Sequence, residues 1–250
     1  MLRLFFVIWL AAAFMFPGQS VRGDPANPPQ LASTSTAEEL SGIARITGAL
    51  SVGGGCTAVL VTPRFALTAG HCAGQAKPVL VFNPNHPSDA RRVTVARVTR
   101  HPDYDGALKA TSAYADLAVL ELAENLPPDL ARPIPIESAI SFDLPHAIYG
   151  FVNPGNPPLR GHPQCQVIPV APGVLGSDCK VQSGLSGAPL LVRAGEHWSV
   201  VGIAVATVSS EPRELRALIA EIDIDLIREA GLENPIGWQI DQSRQGAEKQ

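Results

Sequence analysis

The chain has little charge and no dense cluster of lysine and arginine. Charged residues make up 17% of its 250 positions, and the formal net charge is -4. A protein that binds nucleic acid neutralises phosphates with clustered cations, so this composition argues against a nucleic-acid partner. With 46% hydrophobic residues, the chain can instead bury a substantial core, in one large all-β unit or in two small domains.

The sequence also lacks a hydrophobic run long enough for an ordinary membrane span. The apolar segment at residues 4–16 is short, begins just after Arg3 and is followed by small and polar residues. This pattern is typical of a secretory signal peptide. We predict a signal peptide over residues 1–23, cleaved between Ser20 and Asp24, with a signal anchor as the alternative. The processed protein is then expected to be secreted or periplasmic, monomeric and without a stable membrane anchor.

Cysteine is scarce, since the exported part holds only Cys56, Cys72, Cys165 and Cys179. An oxidising compartment favours disulfides, and four cysteines allow three pairings. We favour Cys56 with Cys72 and Cys165 with Cys179, because closing loops of about 15 residues stabilises a protein by about 3 kcal/mol each. Zinc is the competing interpretation, but no C-x-x-C spacing is present. We expect neither a metal nor another cofactor.

Turn-forming residues divide the body of the chain into many short β-prone runs. These runs cover residues 56–61, 65–68, 79–82, 92–100, 117–122, 147–151, 164–170, 189–192 and 199–208. Short strands with regular turns between them predict an all-β barrel or sandwich. A short C-terminal helix is expected over residues 223–230, with Asp223 as its N-cap and Gly231 as its stop.

Composition also marks the borders of the main domain. Residues 24–41 are rich in proline, alanine, serine and threonine and predict a flexible leader or propeptide. Residues 125–135 contain four prolines, which fit poorly inside helices and central strands, so they are predicted to connect two halves. We therefore divide the chain into a main domain over 42–240, with halves over 42–124 and 136–222, and a polar tail over 241–250.

The first candidate for chemistry is His71, in the segment Thr68-Ala69-Gly70-His71-Cys72. A neighbouring disulfide would fix the histidine backbone, which helps to hold a general base within about 3 Å of a nucleophile. The remaining histidines have no such setting. We interpret them as surface or packed residues: His86, His101, His146, His162 and His197.

Asp116 is the second candidate, because it leads directly into an apolar run at residues 117–122. A carboxylate at the start of such a strand is partly buried, which is costly unless a group such as a histidine N–H pairs with it. Aspartate also commonly precedes strands as a turn former. Asp103 and Asp105 lie nearby, but neither leads into an apolar run, so we favour Asp116.

Ser186 is the third candidate, in the segment Ser183-Gly184-Leu185-Ser186-Gly187-Ala188. Glycines around it permit a tight turn that exposes the hydroxyl. The N–H groups of Gly184 and Ser186 could form an oxyanion hole, in which removal of one donor costs about 3 to 4 kcal/mol. An ordinary Gly/Ser-rich turn is the alternative, and Ser183 is the rival nucleophile. The hydrolase elbow Gly-x-Ser-x-Gly does not fit, because Ala188 occupies its last position.

The order His, Asp, Ser is that of chymotrypsin and differs from subtilisin and the α/β-hydrolases. Over roughly residues 46–222 the sequence resembles the trypsin/chymotrypsin-like serine proteases. The His71 segment matches Thr-Ala-Ala-His-Cys except at Gly70, the Asp116 segment matches Asp-Ile-Ala-Leu-Leu-x-Leu, and Gly-Leu-Ser-Gly-Ala-Pro matches Gly-Asp-Ser-Gly-Gly-Pro at all but two positions. Leu185 stands where many members have an aspartate, so the chain looks closer to the bacterial, glutamyl-endopeptidase-like branch.

The resemblance implies two antiparallel six-stranded β-barrels with the active site between them. His71 and Asp116 would come from the first barrel and Ser186 from the second. The implied function is that of a secreted serine endopeptidase, which acts on proteins or peptides through an acyl-enzyme. A catalytically silent homologue that serves as a binding or adhesion module is the alternative from another class. An esterase would share the same chemistry.

The resemblance also places the base of the substrate pocket at Lys180 and its wall at Val205, Ala206 and Thr207. A cation at the base disfavours lysine and arginine, so an acidic or small apolar side chain is expected before the scissile bond.

Arg45-Ile46-Thr47-Gly48 resembles an activation cleavage point. Because Leu185 offers no charge, the Ile46 ammonium group would be buried without a partner, which is unfavourable. We therefore expect activity not to depend on that group.

Overall fold

The computed structural model describes residues 28–47, 55–74, 78–84, 86, 88–106, 110–137, 139–152, 158–195, 197–208 and 215–232. The expected signal peptide, residues 24–27 of the expected leader and the polar tail lie outside these residues. The N-terminal segment contains β1 Gln30–Leu31 and α1 Thr34–Glu39. The first half contains β2 Ile43–Thr47, β3 Cys56–Leu60, β4 Phe65–Ala69, β5 Val79–Phe82, β6 Arg91–Arg100 and β7 Leu117–Leu122. The second half contains β8 His146–Gly150, β9 Arg160–Cys165, β10 Val167–Ala171, β11 Val174–Ser177, β12 Pro189–Ala194, β13 His197–Thr207, β14 Ala217–Glu221 and α2 Ile224–Glu229. Two 3-10 helices cover Gly70–Ala73 and Ala110–Ala115.

The strands of the first half close into a six-stranded antiparallel barrel in the order β2-β3-β4-β7-β6-β5. Its strands bury apolar side chains such as Leu60, Leu80 and Leu120, each worth roughly 1.5 to 3 kcal/mol on transfer from water. The register of β4 and β7 places Ala69 opposite Leu117. The residues that follow β4 and those that precede β7 therefore lie side by side.

The second half is barrel-like but is not the six-stranded ring that the sequence analysis expected. Its described strands form one antiparallel sheet in the order β1-β9-β8-β12-β13-β14-β11-β10. The N-terminal strand β1 extends one edge of this sheet, and the hairpin strand β10 forms the other. The expected all-β fold with two barrel-like halves is confirmed, with a closed ring shown only for the first half.

The apolar runs predict most of the strands but miss four of them, β1, β2, β11 and β14. The run at residues 164–170 also proves to be two strands, because β9 pairs with β8 whereas β10 pairs with β11. The chain changes partner at Gln166, whose backbone N–H donates to Asp178 Oδ1 at 2.7 Å. A single apolar run therefore does not imply a single strand.

The prediction that the leader or propeptide over residues 24–41 is flexible is wrong for its described part. Strand β1 pairs with β9, and Leu40 is only 1% exposed within the core. The indole N–H of Trp198 donates to Glu39 at 2.8 Å. These contacts with distant strands order a segment whose own composition shows no periodicity. The segment thus links the second sheet to the first barrel.

The resemblance of Arg45-Ile46 to an activation cleavage point is also misleading. Both residues lie in the middle of β2, where Ile46 pairs with Cys56 on one side and Leu80 on the other. Ile46 is only 1% exposed. Cleavage there would cut a barrel strand.

The C-terminal helix begins and ends as the sequence predicts. Asp223 caps α2 by accepting from the backbone N–H groups of Asp225 and Leu226, and Gly231 follows with φ +91°. The imidazole of His101 contacts the same aspartate, with Nε2 to Oδ2 at 2.9 Å. This contact ties α2 to the residue that follows β6.

Both favoured disulfides are present, Cys56–Cys72 and Cys165–Cys179. No helix among the described residues is long and apolar enough to cross a membrane. Residues 125–135 contain no helix or strand.

Burial of His146 makes the stability of the fold sensitive to acid. Its side chain is 1% exposed, and Nε2 has no hydrogen-bond partner among the described residues. Burial lowers the pKa of His146 below its ordinary value, and it does the same for His162. On acidification the unfolded chain, with an ordinary histidine pKa near 6.5, takes up protons first. The free energy of unfolding is therefore largest above about pH 6.5 and falls below it.

We expect this loss to reach at most about 1.4 kcal/mol per pH unit for each histidine. His146→Leu should give a shallower decline in urea-unfolding free energy between pH 7.5 and 5 than the unmodified protein. The exposed His197 offers a matched control, because His197→Leu should leave the slope unchanged. An identical slope in His146→Leu and the unmodified protein would contradict the assignment.

Candidate active site

His71 and Asp116 are brought together by the pairing of β4 with β7. His71 lies in the 3-10 helix directly after β4, and Asp116 directly precedes β7. The backbone N–H of His71 donates to Asp116 Oδ1 at 2.8 Å, and Nδ1 lies 2.7 Å from Oδ2. The carboxylate is only 2% exposed, so both of its oxygens are satisfied by one histidine.

The contact with Asp116 orients the imidazole of His71 for proton transfer. A carboxylate accepts hydrogen bonds, so the proton of a neutral ring lies on Nδ1 and Nε2 is left as the acceptor. A general base needs this tautomer if it is to remove a proton from a hydroxyl through Nε2.

The sulfurs of Cys56 and Cys72 lie beside a ring nitrogen of His71, within 4.8 Å of one another. This is a spacing that a metal ion could bridge. Both sulfurs belong to the disulfide, so no thiolate is available as a zinc ligand. Its covalent bond instead fixes the backbone next to His71.

Ser186 lies in a tight turn that precedes β12. The backbone N–H of Leu185 donates to Gln182 O at 2.9 Å, which closes a four-residue turn across Ser183 and Gly184. Gly184 has φ +99°, the conformation that a type II turn requires at its third position. Glycine at this position therefore sets the shape of the loop in front of Ser186.

The Ser186 turn packs against the end of the first barrel that carries His71. Thr57 donates its backbone N–H to Ser186 O at 2.8 Å. A Cβ on Gly187 would collide with Thr57 O and with the hydroxyl of Thr68. Thr68 lies three residues before His71, at the end of β4. The fold therefore brings the segments of the three predicted catalytic residues to one place.

The N–H groups of the turn fall into two sets. Leu185, Gly187 and Ala188 each donate to a backbone carbonyl oxygen at 2.7 to 2.9 Å. By contrast, the N–H groups of Gly184 and Ser186 donate to no backbone carbonyl among the residues that the structure describes. These are the two donors that the sequence analysis assigned to an oxyanion hole.

The expected pocket residues meet around a short segment before the turn. The hydroxyl of Thr207 on β13 donates to Val181 O at 2.9 Å. His162 Nε2 lies 3.0 Å from Lys180 O, and since a carbonyl only accepts, Nε2 carries the proton. The bond from Thr207 joins the expected wall of the pocket to the residue that follows its expected base, Lys180.

The four expected pocket residues differ in their accessibility. The side chain of Lys180 is exposed, Thr207 is exposed, and Ala206 is half-buried. Val205 is buried in the core, so its side chain does not line an open surface. Of the predicted wall, Ala206 and Thr207 are therefore the accessible part.

Two residues at this site were missed by the sequence analysis, Thr57 and His162. Thr57 has no motif of its own, and the available signal is its place directly after Cys56 in a buried strand. His162 was interpreted as a packed histidine, and it is indeed buried. Its contact with Lys180 joins β9 to the segment after β11, next to the Cys165–Cys179 disulfide, and the local sequence around His162 does not reveal it.

Comparisons with known proteins show a trypsin-like sequence in the first part of the chain and a trypsin-like fold. The sequence model of the family described as Trypsin matches residues 34–156, which include His71 and Asp116 but end before Ser186. Trypsin 5G1 of Aedes aegypti is 36% identical over 74 residues, which are 28% of this chain and 26% of that trypsin. The match thus spans about a quarter of that relative's length.

Among solved structures, the fold is similar to neuropsin, described as a serine protease expressed in the limbic system of mouse brain. The TM-score is 0.63 at 16% identity, and the alignment covers 81% of this chain and 98% of neuropsin. At this identity the likeness concerns the fold. Neither relative is a bacterial glutamyl endopeptidase, so closeness to that branch gains no support.

Proposed function

We propose that this chain, trypsin-like in its fold and in the sequence of residues 34–156, is a secreted or periplasmic serine endopeptidase. His71, Asp116 and Ser186 are its catalytic residues. The observation that carries the proposal is the 2.7 Å contact between His71 Nδ1 and Asp116 Oδ2, because it leaves Nε2 as the base. The Ser186 turn, packed against the strands that lead to His71, supports the choice of nucleophile.

In this proposal Ser186 Oγ attacks the carbonyl carbon of the scissile peptide bond, and His71 Nε2 takes the hydroxyl proton. Asp116 stabilises the imidazolium that forms. The oxyanion accepts hydrogen bonds from the N–H groups of Gly184 and Ser186. Collapse of the intermediate breaks the C–N bond, and the leaving amine takes the proton from His71. Water then hydrolyses the acyl-enzyme by the same steps.

The test is hydrolysis of a peptide library and of matched peptide esters by the purified protein, processed but retaining residues 28–41. A peptidase cleaves both sets, whereas an esterase cleaves only the esters. A silent homologue with a binding or adhesion role cleaves neither, although it is folded. Gel filtration of the same sample tests the expected monomer.

The bond between Thr207 and Val181 supports a small pocket. It holds together the two segments that would have to separate around a long side chain, and the Lys180 cation lies beside them. We expect kcat/KM after arginine to be at least about tenfold lower than after glutamate, alanine or valine. Faster cleavage after arginine than after all three would contradict the expectation.

Thr207→Gly removes the bond to Val181 and should raise kcat/KM for large apolar side chains relative to small ones. Substrates that vary only in the residue before the scissile bond measure this shift. Arg64→Gly, on the first barrel, is a control that should leave the ranking unchanged.

A further inference from the structure

We propose that Thr57, on the first barrel, is a positioning residue that holds the Ser186 turn of the second half, here called the oxyanion turn because it carries the N–H groups of Gly184 and Ser186. The inference rests on the proposed function, because it concerns the donors that would stabilise the intermediate at Ser186. Thr57 is fully buried, at 0% exposure.

Thr57 makes two hydrogen bonds to the turn itself. Its hydroxyl donates to Gly184 O at 2.8 Å, and its backbone N–H donates to Ser186 O at 2.8 Å. The same hydroxyl accepts from the backbone N–H of Phe151 at 3.0 Å. This hydroxyl therefore donates one hydrogen bond and accepts another, which fixes its direction.

These bonds act on alternate peptide groups of the turn. The peptide group between Gly184 and Leu185 is held at its oxygen by Thr57 and at its N–H by Gln182 O. The peptide group between Ser186 and Gly187 is likewise held at both ends, by Thr57 N–H and by Ala204 O. With these planes fixed, the N–H groups of Gly184 and Ser186 cannot rotate away independently.

The side chain of Leu185 explains why a polar tie is needed here. It is fully buried in the core of the second sheet and carries no charge that could anchor the turn. Apolar packing restrains the position of a backbone but does not specify the rotation of its peptide groups, because it is non-directional. Directed hydrogen bonds do so, and Thr57 supplies two of them.

The position of Thr57 is itself tied to His71. Its neighbour Cys56 forms the disulfide with Cys72, which follows His71 in sequence. One strand end thus holds the backbone of the base and the backbone of the oxyanion turn. Thr57 acts through these groups and does not itself contact the reacting atoms.

The test compares Thr57→Val, which keeps the shape but loses the hydroxyl, with Thr57→Ser, which keeps the hydroxyl. We expect Thr57→Val to lower kcat by about tenfold to a hundredfold, less than the loss of an oxyanion donor, with KM changed by less than about threefold. Thr57→Ser should keep kcat within about threefold of that of the unmodified protein. Thr47→Val is the matched control, because it removes a hydroxyl that donates to Val79 O, and it should change kcat by less than about twofold.

A second readout separates positioning from stability. Affinity for a peptide boronate, which forms a tetrahedral adduct with the serine, should fall in Thr57→Val in parallel with kcat/KM. Affinity for a peptide product should stay unchanged. If Thr57→Val lowers the melting temperature but leaves kcat and boronate affinity as they were, Thr57 is only structural and the inference is overturned.

Amide hydrogen exchange tests the same inference without catalysis. The N–H group of Leu185, in the peptide group that the Thr57 hydroxyl holds, should exchange at least about tenfold faster in Thr57→Val than in Thr57→Ser. Equal exchange overturns the positioning role. Absence of hydrolysis by the unmodified protein would instead count against the proposed function, and the exchange comparison would still decide the role of Thr57.

Discussion

Ser186→Ala is expected to lower kcat/KM for peptide hydrolysis by about 10⁴-fold to 10⁶-fold, because it removes the nucleophile of the acyl-enzyme route. Hydrolysis left over would come from the oxyanion donors and substrate binding alone. The fold should not change, since Ser186 is half-buried and the turn is held by backbone hydrogen bonds and by the hydroxyl of Thr57. Initial rates over a substrate range, with a melting curve for each protein, measure both effects.

Ser183→Ala is the matched control for that result. Ser183 is exposed, lies in the same turn, and was the rival nucleophile in the sequence. Its alanine variant should keep kcat/KM within about threefold. An inactive Ser183→Ala protein together with an active Ser186→Ala protein would show that Ser183 is the nucleophile and that the assignment of the motif to Ser186 is wrong.

Asp116→Asn is the second replacement with a large expected effect, a fall in kcat of about 10³-fold to 10⁴-fold. Asp116 accepts two hydrogen bonds from His71, one from the backbone N–H and one from Nδ1. An asparagine that accepts from the backbone with its oxygen presents its NH₂ group to Nδ1. The imidazole then adopts the other tautomer, with its proton on Nε2, and Nε2 can no longer accept the proton of Ser186.

The change of tautomer distinguishes this account from simple loss of structure. In the unmodified protein, proton NMR should show a His71 Nδ1–H resonance far downfield, which Asp116→Asn should lose. Asp103→Asn provides the control, because Asp103 accepts from the Tyr114 hydroxyl at 3.0 Å and should leave kcat within about threefold. Normal kcat in Asp116→Asn would rule out the role of this carboxylate.

Local sequence was sufficient for much of the fold because strand, turn and cap signals are short-ranged. The Asp223 cap and the Gly231 stop of α2 are set by the residues themselves. The sequence does not predict strand β2, because its central Arg45 interrupts a short apolar run. The order of residues 28–41 could not be predicted from their composition, because it comes from contacts with β9 and Trp198, which lie far away in sequence.

The candidate site likewise contains residues that the local sequence predicts and residues that only distant contacts reveal. His71, Asp116 and Ser186 each stand in a segment with unusual neighbours, so the sequence alone could nominate them. Thr57 could not be nominated, because its importance comes from two peptide groups that lie more than a hundred residues further along the chain. The expected closure of the second half into a ring failed for the same reason, because the pairing of its described strands is set by distant contacts that the local pattern does not encode.

The most direct test of the central claim is reaction of the folded protein with a fluorophosphonate, which labels a serine activated by a neighbouring base. Intact mass and peptide mapping should show one label per chain, on Ser186. Ser186→Ala should abolish the label and Asp116→Asn should slow its formation at least about a hundredfold. A folded protein that takes up no label, or takes it up on Ser183, would contradict the account.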